Sequence, residues 1–223
     1  MCLTTKLALV ATALVSGVVV AAAQSGTPQR IALAERLVAG TLRVVNRTAT
    51  PLQDRPDGIH VSENAGNGVV WIEGSDFAEG TIEVDVRGRD VLQQSFLGIA
   101  FHRKDDNTYE AVYLRPFNFR AADPDRHQHA VQYMASPDYD WPRLRKEFPE
   151  EFENPVDPSI APTGWVPFRI IVRSKTIQIY VGPVTSPTLD VRKLGQLDRG
   201  TIGLWVGNNS DGDFANLRIT PVK

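Results

Sequence analysis

From Thr41 onward, apolar and polar residues alternate in short runs separated by Gly, Pro, Asn and Asp. Alternation with a period of two marks strands, and the turn-forming residues mark their ends. The pattern predicts strands over residues 41–47, 58–63, 67–73, 80–87, 95–103, 108–115, 128–134, 167–173, 176–182, 201–207 and 213–220. No long stretch carries the 3.6-residue period of an amphipathic helix. Only residues 31–38, closed by Gly40, read as a short helical turn. Many short strands and no long helix predict an all-β fold, a two-sheet antiparallel jelly-roll sandwich. Residues 135–166, rich in Pro and charge, form the one long irregular segment. Loops of that length in a compact domain are usually functional or mobile.

The sharpest pattern is a hairpin. Residues 96–102 and 109–115 flank the polar turn 104–107. Leu97, Ile99, Phe101, Val112 and Leu114 make an apolar face. Gly98, Ala100, His102, Tyr109, Ala111, Tyr113 and Arg115 make the other. Matching like faces predicts His102 opposite Tyr109, Ala100 opposite Ala111, Gly98 opposite Tyr113 and Leu97 opposite Leu114. The second face has no Lys or Glu, and sets Gly and Ala beside aromatics. A solvated face has no need of that mixture, whereas the floor of a binding groove does. Glu110 falls on the apolar face beside Phe101; it is either at the hairpin edge, the favoured reading, or a buried acid with a perturbed pKa. The predicted core adds Ile82, Val84, Val86, Ile170, Val172, Ile177, Ile179, Ile202 and Leu204 to the apolar hairpin residues. Trp71, Trp165 and Trp205 are also placed in the core.

The N-terminus changes the compartment. Lys6 precedes an apolar run over residues 7–23 that ends in three alanines before Gln24. This predicts a secretory signal peptide over residues 1–23, a leader over 24–40 and one sandwich domain over 41–223. An uncleaved membrane anchor is the alternative. The single cysteine, Cys2, lies ahead of the apolar run, which excludes a lipid-anchored precursor. After cleavage no disulfide, thiolate nucleophile or cysteine-bound metal is available. The protein is therefore expected to be secreted or periplasmic, free of the membrane, and held by its core. Its 24 Lys and Arg are interspersed with 26 Asp and Glu, giving a net charge of −2. That balance argues against a nucleic-acid partner.

Carbohydrate chemistry fits the residues beyond the hairpin. An aromatic ring offers a platform for the C–H face of a sugar, while Arg, Asn, Gln and Asp bond its hydroxyls. Tyr109, Tyr113, Arg115, Asn118, Arg120, Gln132, Trp141 and Arg143 are the candidate ligand-binding residues, with Arg145 close by. Trp141 has a competing reading as the pin of its loop. His102 and Asp138 are candidate acid–base groups if the site turns over its ligand. Glu83 and Asp85 share a strand face, as a pair of glycosidase carboxylates would, but read better as solvated residues. His127 and His129 lack a third metal ligand. Asp211 and Asp213 lie in an oxygen-rich run, 208–213, that would suit calcium but lacks the closing Glu of an EF-hand; a β-turn is the simpler reading. No other cofactor is expected.

Several segments occur in a familiar order. They are residues 77–85 (Phe-Ala-Glu-Gly-Thr-Ile-Glu-Val-Asp), 98–103 (Gly-Ile-Ala-Phe-His-Arg), 165–172, 177–181, 200–204 and 212–219. Over residues 58–220 this succession resembles the concanavalin A-like lectin/glucanase superfamily. Within it, the chain looks nearest to laminin G-like domains and to the secreted bacterial 3-keto-disaccharide hydrolase domain family. The resemblance implies a sandwich that binds or cleaves carbohydrate. The groove strand of that hydrolase family carries Glu-x-Gln; here Gln132 matches and Ala130 replaces the Glu. The glucanases carry Glu-x-Asp-x-x-Glu; Glu83 and Asp85 match and Gly88 replaces the last Glu. The expectation is a carbohydrate-binding sandwich. A glycoside hydrolase or keto-sugar hydrolase or lyase is one alternative, and an adhesion module without a small ligand is another.

Overall fold

A computed structural model describes residues 26–222, so the predicted signal segment 1–23 lies outside the described residues. Two antiparallel sheets pack face to face. The strands are β1 (Gln29–Ile31), β2 (Leu42–Val45), β3 (Ala49–Pro51), β4 (Ile59–Val61), β5 (Gly68–Ile72), β6 (Gly80–Arg87), β7 (Leu97–Arg103), β8 (Tyr109–Leu114), β9 (Val131–Ser136), β10 (Glu153–Asn154), β11 (Val166–Val172), β12 (Thr176–Val181), β13 (Leu189–Arg192), β14 (Thr201–Val206) and β15 (Gly212–Pro221). Three short α-helices join them, α1 (Leu33–Val38), α2 (Pro124–Gln128) and α3 (Trp141–Glu147), with one 3-10 turn over Pro116–Asn118. The back sheet has eight strands, ordered β13-β12-β11-β6-β15-β4-β3, with β1 added on β15. The front sheet has seven, ordered β10-β9-β8-β7-β14-β5-β2. This is the predicted all-β, two-sheet antiparallel sandwich. Residues 24–40, read as a leader, include β1 and α1, and β1 pairs with β15. Among the described residues no helix is long and apolar enough to cross a membrane.

The alternation in the sequence explains the back sheet directly. Along β6, Ile82, Val84 and Val86 are buried while Glu83, Asp85 and Arg87 are partly exposed. The core between the sheets holds all fourteen apolar residues assigned to it from the sequence. Trp165 is the exception among the tryptophans. It is only partly buried, and its ring lies under the guanidinium groups of Arg55 and Arg87, 4.7 and 4.5 Å away. Arg87 is on the outer side of the back sheet, so Trp165 is a surface residue.

β7 and β8 behave differently because both of their faces are buried. Their register follows the predicted pairing at Leu97 and Leu114, Gly98 and Tyr113, and Ala100 and Ala111. A Cβ on Gly98 would collide with the Val112 carbonyl oxygen, so this approach of the two strands requires glycine. The last predicted pair does not form. His102 has φ +51°, and the pairing of β7 with β14 shifts there by one residue. This β-bulge turns His102 off the face that period-two counting gives it.

Truncating Ile99, fully buried at the centre of β7, is expected to cost about 2–5 kcal/mol as Ile99→Ala. Urea titration measures it, and a loss near zero would mean that the strand faces are assigned backwards.

Candidate functional site

The outer face of the front sheet is tiled with aromatic rings. Trp71 and Tyr109 meet edge to face at 5.6 Å, and Trp205 and Tyr113 pack at 4.8 Å with their rings tilted by 40°. The Trp205 indole N–H donates to the Tyr109 hydroxyl at 3.1 Å. A Cβ on Gly203 would come within 2.5 Å of the Trp71 ring, so the small residue seats the large one. Ala100 and Ala111 are inaccessible beneath this layer. The open groove floored by Gly and Ala is therefore not formed. Tyr109 and Tyr113, expected as ligand contacts, are buried, and their hydroxyls are engaged within the protein. Trp71 and Trp205 are buried as expected, but on this outer face.

At the β8–β9–β10 end of that face the rings give way to charge. Arg115 donates to the Tyr113 hydroxyl at 2.8 Å, to the His129 carbonyl at 2.9 Å, and to Gln132 Oε1. Tyr113 donates to the same Gln132 oxygen at 2.9 Å. Pairing of β10 with β9 sets Glu153 opposite Gln132. The buried Glu153 carboxylate lies 3.8 Å from Arg115 and 3.1 Å from Arg145. It is also 2.7 Å from His129 Nδ1, out of line for a hydrogen bond. Burial lowers the Arg115 pKa; burial also lowers that of His129, with Glu153 opposing and Arg145 and Arg115 assisting.

The helix α3 brings the exposed part. Asp140 caps it by accepting from the Arg143 N–H at 3.1 Å, Pro142 occupies its first turn, and buried Leu144 anchors it. Residues four apart share a helix face, and the Arg145 guanidinium lies 5.1 Å from the centre of the Trp141 ring. A continuous line of contacts thus runs from Trp141 through Arg145 and Glu153 to Arg115, Gln132 and Tyr113. Trp141 as a residue is 49% exposed. Gln132 Nε2, by contrast, is buried without a hydrogen-bond partner.

The other expected residues fall elsewhere or serve the frame. Asn118 is buried and donates to the His129 carbonyl at 3.1 Å. Arg120 grips the carbonyls of Pro158 and Ser159, fixing the long loop. Arg143 pairs with Glu147 and lies 4.5 Å over the Tyr139 ring. Asp138 is exposed and offers its backbone carbonyl to Arg143. His102 is not in a groove. Its Nδ1 is 2.8 Å from Glu110 Oε1 and its Nε2 is 2.7 Å from the Ala78 carbonyl, inside the sandwich. Glu110 is buried rather than at the hairpin edge; it accepts from the Tyr133 hydroxyl at 2.5 Å and lies 3.6 Å from Lys193. Burial, and then the Glu110 charge, push the Tyr133 pKa well above its ordinary value. Asp211 pairs with Arg89, and Asp213 with Arg87 and His60. Both carboxylates weighed as calcium ligands are thus paired with basic side chains, and no metal-binding group of three His, Cys, Asp or Glu occurs among the described residues. Glu153 escapes a reading of the sequence because a two-residue strand has no periodicity.

No family model matches the chain, and no curated protein does. Solved structures do. The carbohydrate-binding module CBM66 from Bacillus subtilis aligns at 15% identity over 79% of this chain and 93% of that one, with a TM-score of 0.56. A B. subtilis protein of unknown function with a galectin-like fold aligns at 14% identity over 90% and 99%, with a TM-score of 0.58. The exoplasmic/lumenal domain of VIP36, with calcium and Man3GlcNAc bound, aligns at 7% identity over 82% and 86%, with a TM-score of 0.53. The fold is the concanavalin A-like jelly roll. At these identities the likeness is one of architecture, and fold alone does not carry function.

Arg115 is expected to act as a buried support. Arg115→Met would strand Gln132, Tyr113 and part of the Glu153 charge, at a cost of about 3 kcal/mol or more in urea titration; a loss below about 1 kcal/mol would deny that role. A separate prediction concerns His60. Its hydrogen bond to Asp213 raises its pKa above 6.5 against partial burial. Its stabilising contribution is therefore complete below pH 6.5 and is lost as pH rises through the folded value. In an NMR titration, Asp213→Asn should bring the His60 midpoint down to 6.5 or lower; an unchanged midpoint would assign the shift to another group.

Proposed function

We propose that this protein binds carbohydrate at the β8–β10 end of the front sheet, with Trp141 as the platform. The observation that carries the reading is the half-exposed Trp141 ring backed by Arg145, which is itself tied to buried Glu153. An exposed indole gains by covering the apolar face of a sugar ring. The neighbouring guanidinium and carboxylate groups suit the hydroxyls. That a carbohydrate-binding module shares the fold supports the same reading. Binding accounts for the site better than hydrolysis does. Glu153 is held by cations and Asp140 is engaged as a helix cap, whereas glycosidases need two carboxylates facing the scissile bond. The apolar run ahead of the domain supports export, and with it an extracytoplasmic saccharide as ligand.

A saccharide array followed by calorimetry tests this. Trp141→Ala should weaken binding by about 2 kcal/mol, roughly thirtyfold. The melting temperature should move by no more than about 2 °C, because the ring spends little of its area on the fold. A large fall in melting temperature with unchanged binding would make Trp141 the pin of its loop. Absence of any bound saccharide would reject the function itself.

A further inference from the structure

The outer face of the back sheet carries a hollow whose lining includes no residue of the Trp141 cluster. One row of cross-strand partners runs over four strands: Tyr180 on β12, Arg169 on β11, Glu83 on β6 and Arg218 on β15. These residues line a cavity of about 280 Å³, roughly the volume of nine waters. The Arg169 guanidinium lies 4.0 Å from the centre of the Tyr180 ring, which fixes its plane. Its Nε is buried and has no hydrogen-bond partner. Neither Arg169 nor Arg218 makes an ion pair with a described residue, although Glu83 stands between them in register. The remaining acid, Asp85, is already matched to Arg55 at 2.5 Å.

Charge counting gives two unpaired guanidinium groups against one carboxylate, an excess of one positive charge. Planar guanidinium groups recognise carboxylates through paired N–H donors. Glu83 and Asp85 retain acceptor oxygens suited to hydroxyl donors. Pro167, Pro183 and Val184 supply apolar wall. Cation, hydroxyl acceptors and apolar wall together match a monoanionic, polyhydroxylated ring. We infer that this cavity is a binding site for a uronate, a sugar whose carboxylate is gripped by Arg169 and Arg218. The bulge at Asn216, with φ +56°, sets its amide 3.4 Å from Asp85, within the same cavity.

Isothermal titration of the full protein with glucuronate, glucose and acetate tests the inference. Glucuronate is expected to bind at least about tenfold more tightly than either probe, since glucose lacks the charge and acetate lacks the hydroxyls. Arg218→Gln, at an exposed position that tolerates substitution, should weaken glucuronate about tenfold or more, as should Arg169→Gln. Trp141→Ala should leave glucuronate binding unchanged. Equal binding of acetate or glucose, or full affinity in Arg218→Gln, would overturn the inference. Loss of glucuronate binding in Trp141→Ala would move the anion to the other site, rejecting this cavity while leaving the proposed function standing.

Discussion

The close, two-sided pairing of β7 with β8 is the constraint on which the rest of the front sheet depends. Gly98 lets the strands meet in a register that a side chain would block. That register sends Leu97, Ile99, Val112 and Leu114 into the space between the sheets. It sends Tyr113 outward to pack on Trp205. It also fixes where the two charged ends of the hairpin go. Glu110 is driven inward, where His102, Tyr133 and Lys193 gather around it. Arg115, just beyond β8, joins Gln132 and Glu153 at the opposite end. A slip of one residue would exchange the faces and leave a charge in the core without partners.

Both ends show how a buried acid is tolerated. Removing a carboxylate from water costs several kcal/mol, and an ion pair returns that only when the remaining lone pairs are also met. Glu110 has a histidine, a phenol and a lysine around its two oxygens. Glu153 has two arginines and a histidine. Neither network adds much net stability over an apolar packing. Each makes the local geometry unique, because any other arrangement strands a charge. The arginine row on the back sheet differs, since its cations face a cavity and are not closed by acids of the protein.

The strands and the inter-sheet core are legible in the sequence because alternation with a period of two reports burial on one face directly. The character of the opposite face is not. Gly98, Ala100 and Ala111 beside tyrosines read as an open floor. Whether that floor is open depends on Trp71 and Trp205, which come from strands distant in sequence, and whose facing is set by the register of β14 with β5 and β7. His102 departs from its expected place for a related reason: the bulge that turns it is a mismatch with β14, invisible in the hairpin alone. Trp141 is legible as a polar-loop aromatic, and its link to Arg115 runs through Arg145 and Glu153. The linking residue, Glu153, is not, because two residues of strand inside a Pro-rich loop carry no pattern. Glu83 and Asp85 read as solvated surface residues; the cavity that both line needs β11, β12 and β15 to be placed beside β6.

The support around Trp141 bears on how such a platform would work. A free aromatic side chain on a loop loses about 0.5–1.5 kcal/mol of rotamer freedom when a ligand immobilises it. Here α3 is capped by Asp140, anchored by Leu144 and tied through Arg145 to Glu153, a buried acid on β10. The ring stands against Arg145 before any ligand arrives. Much of the ordering cost is thus met in folding, by an ion pair that would otherwise contribute little. On the proposed function, this would give the Glu153 network a reason to be buried at that end of the sheet. It holds an exposed ring in place without covering it, which apolar packing around the indole could not do.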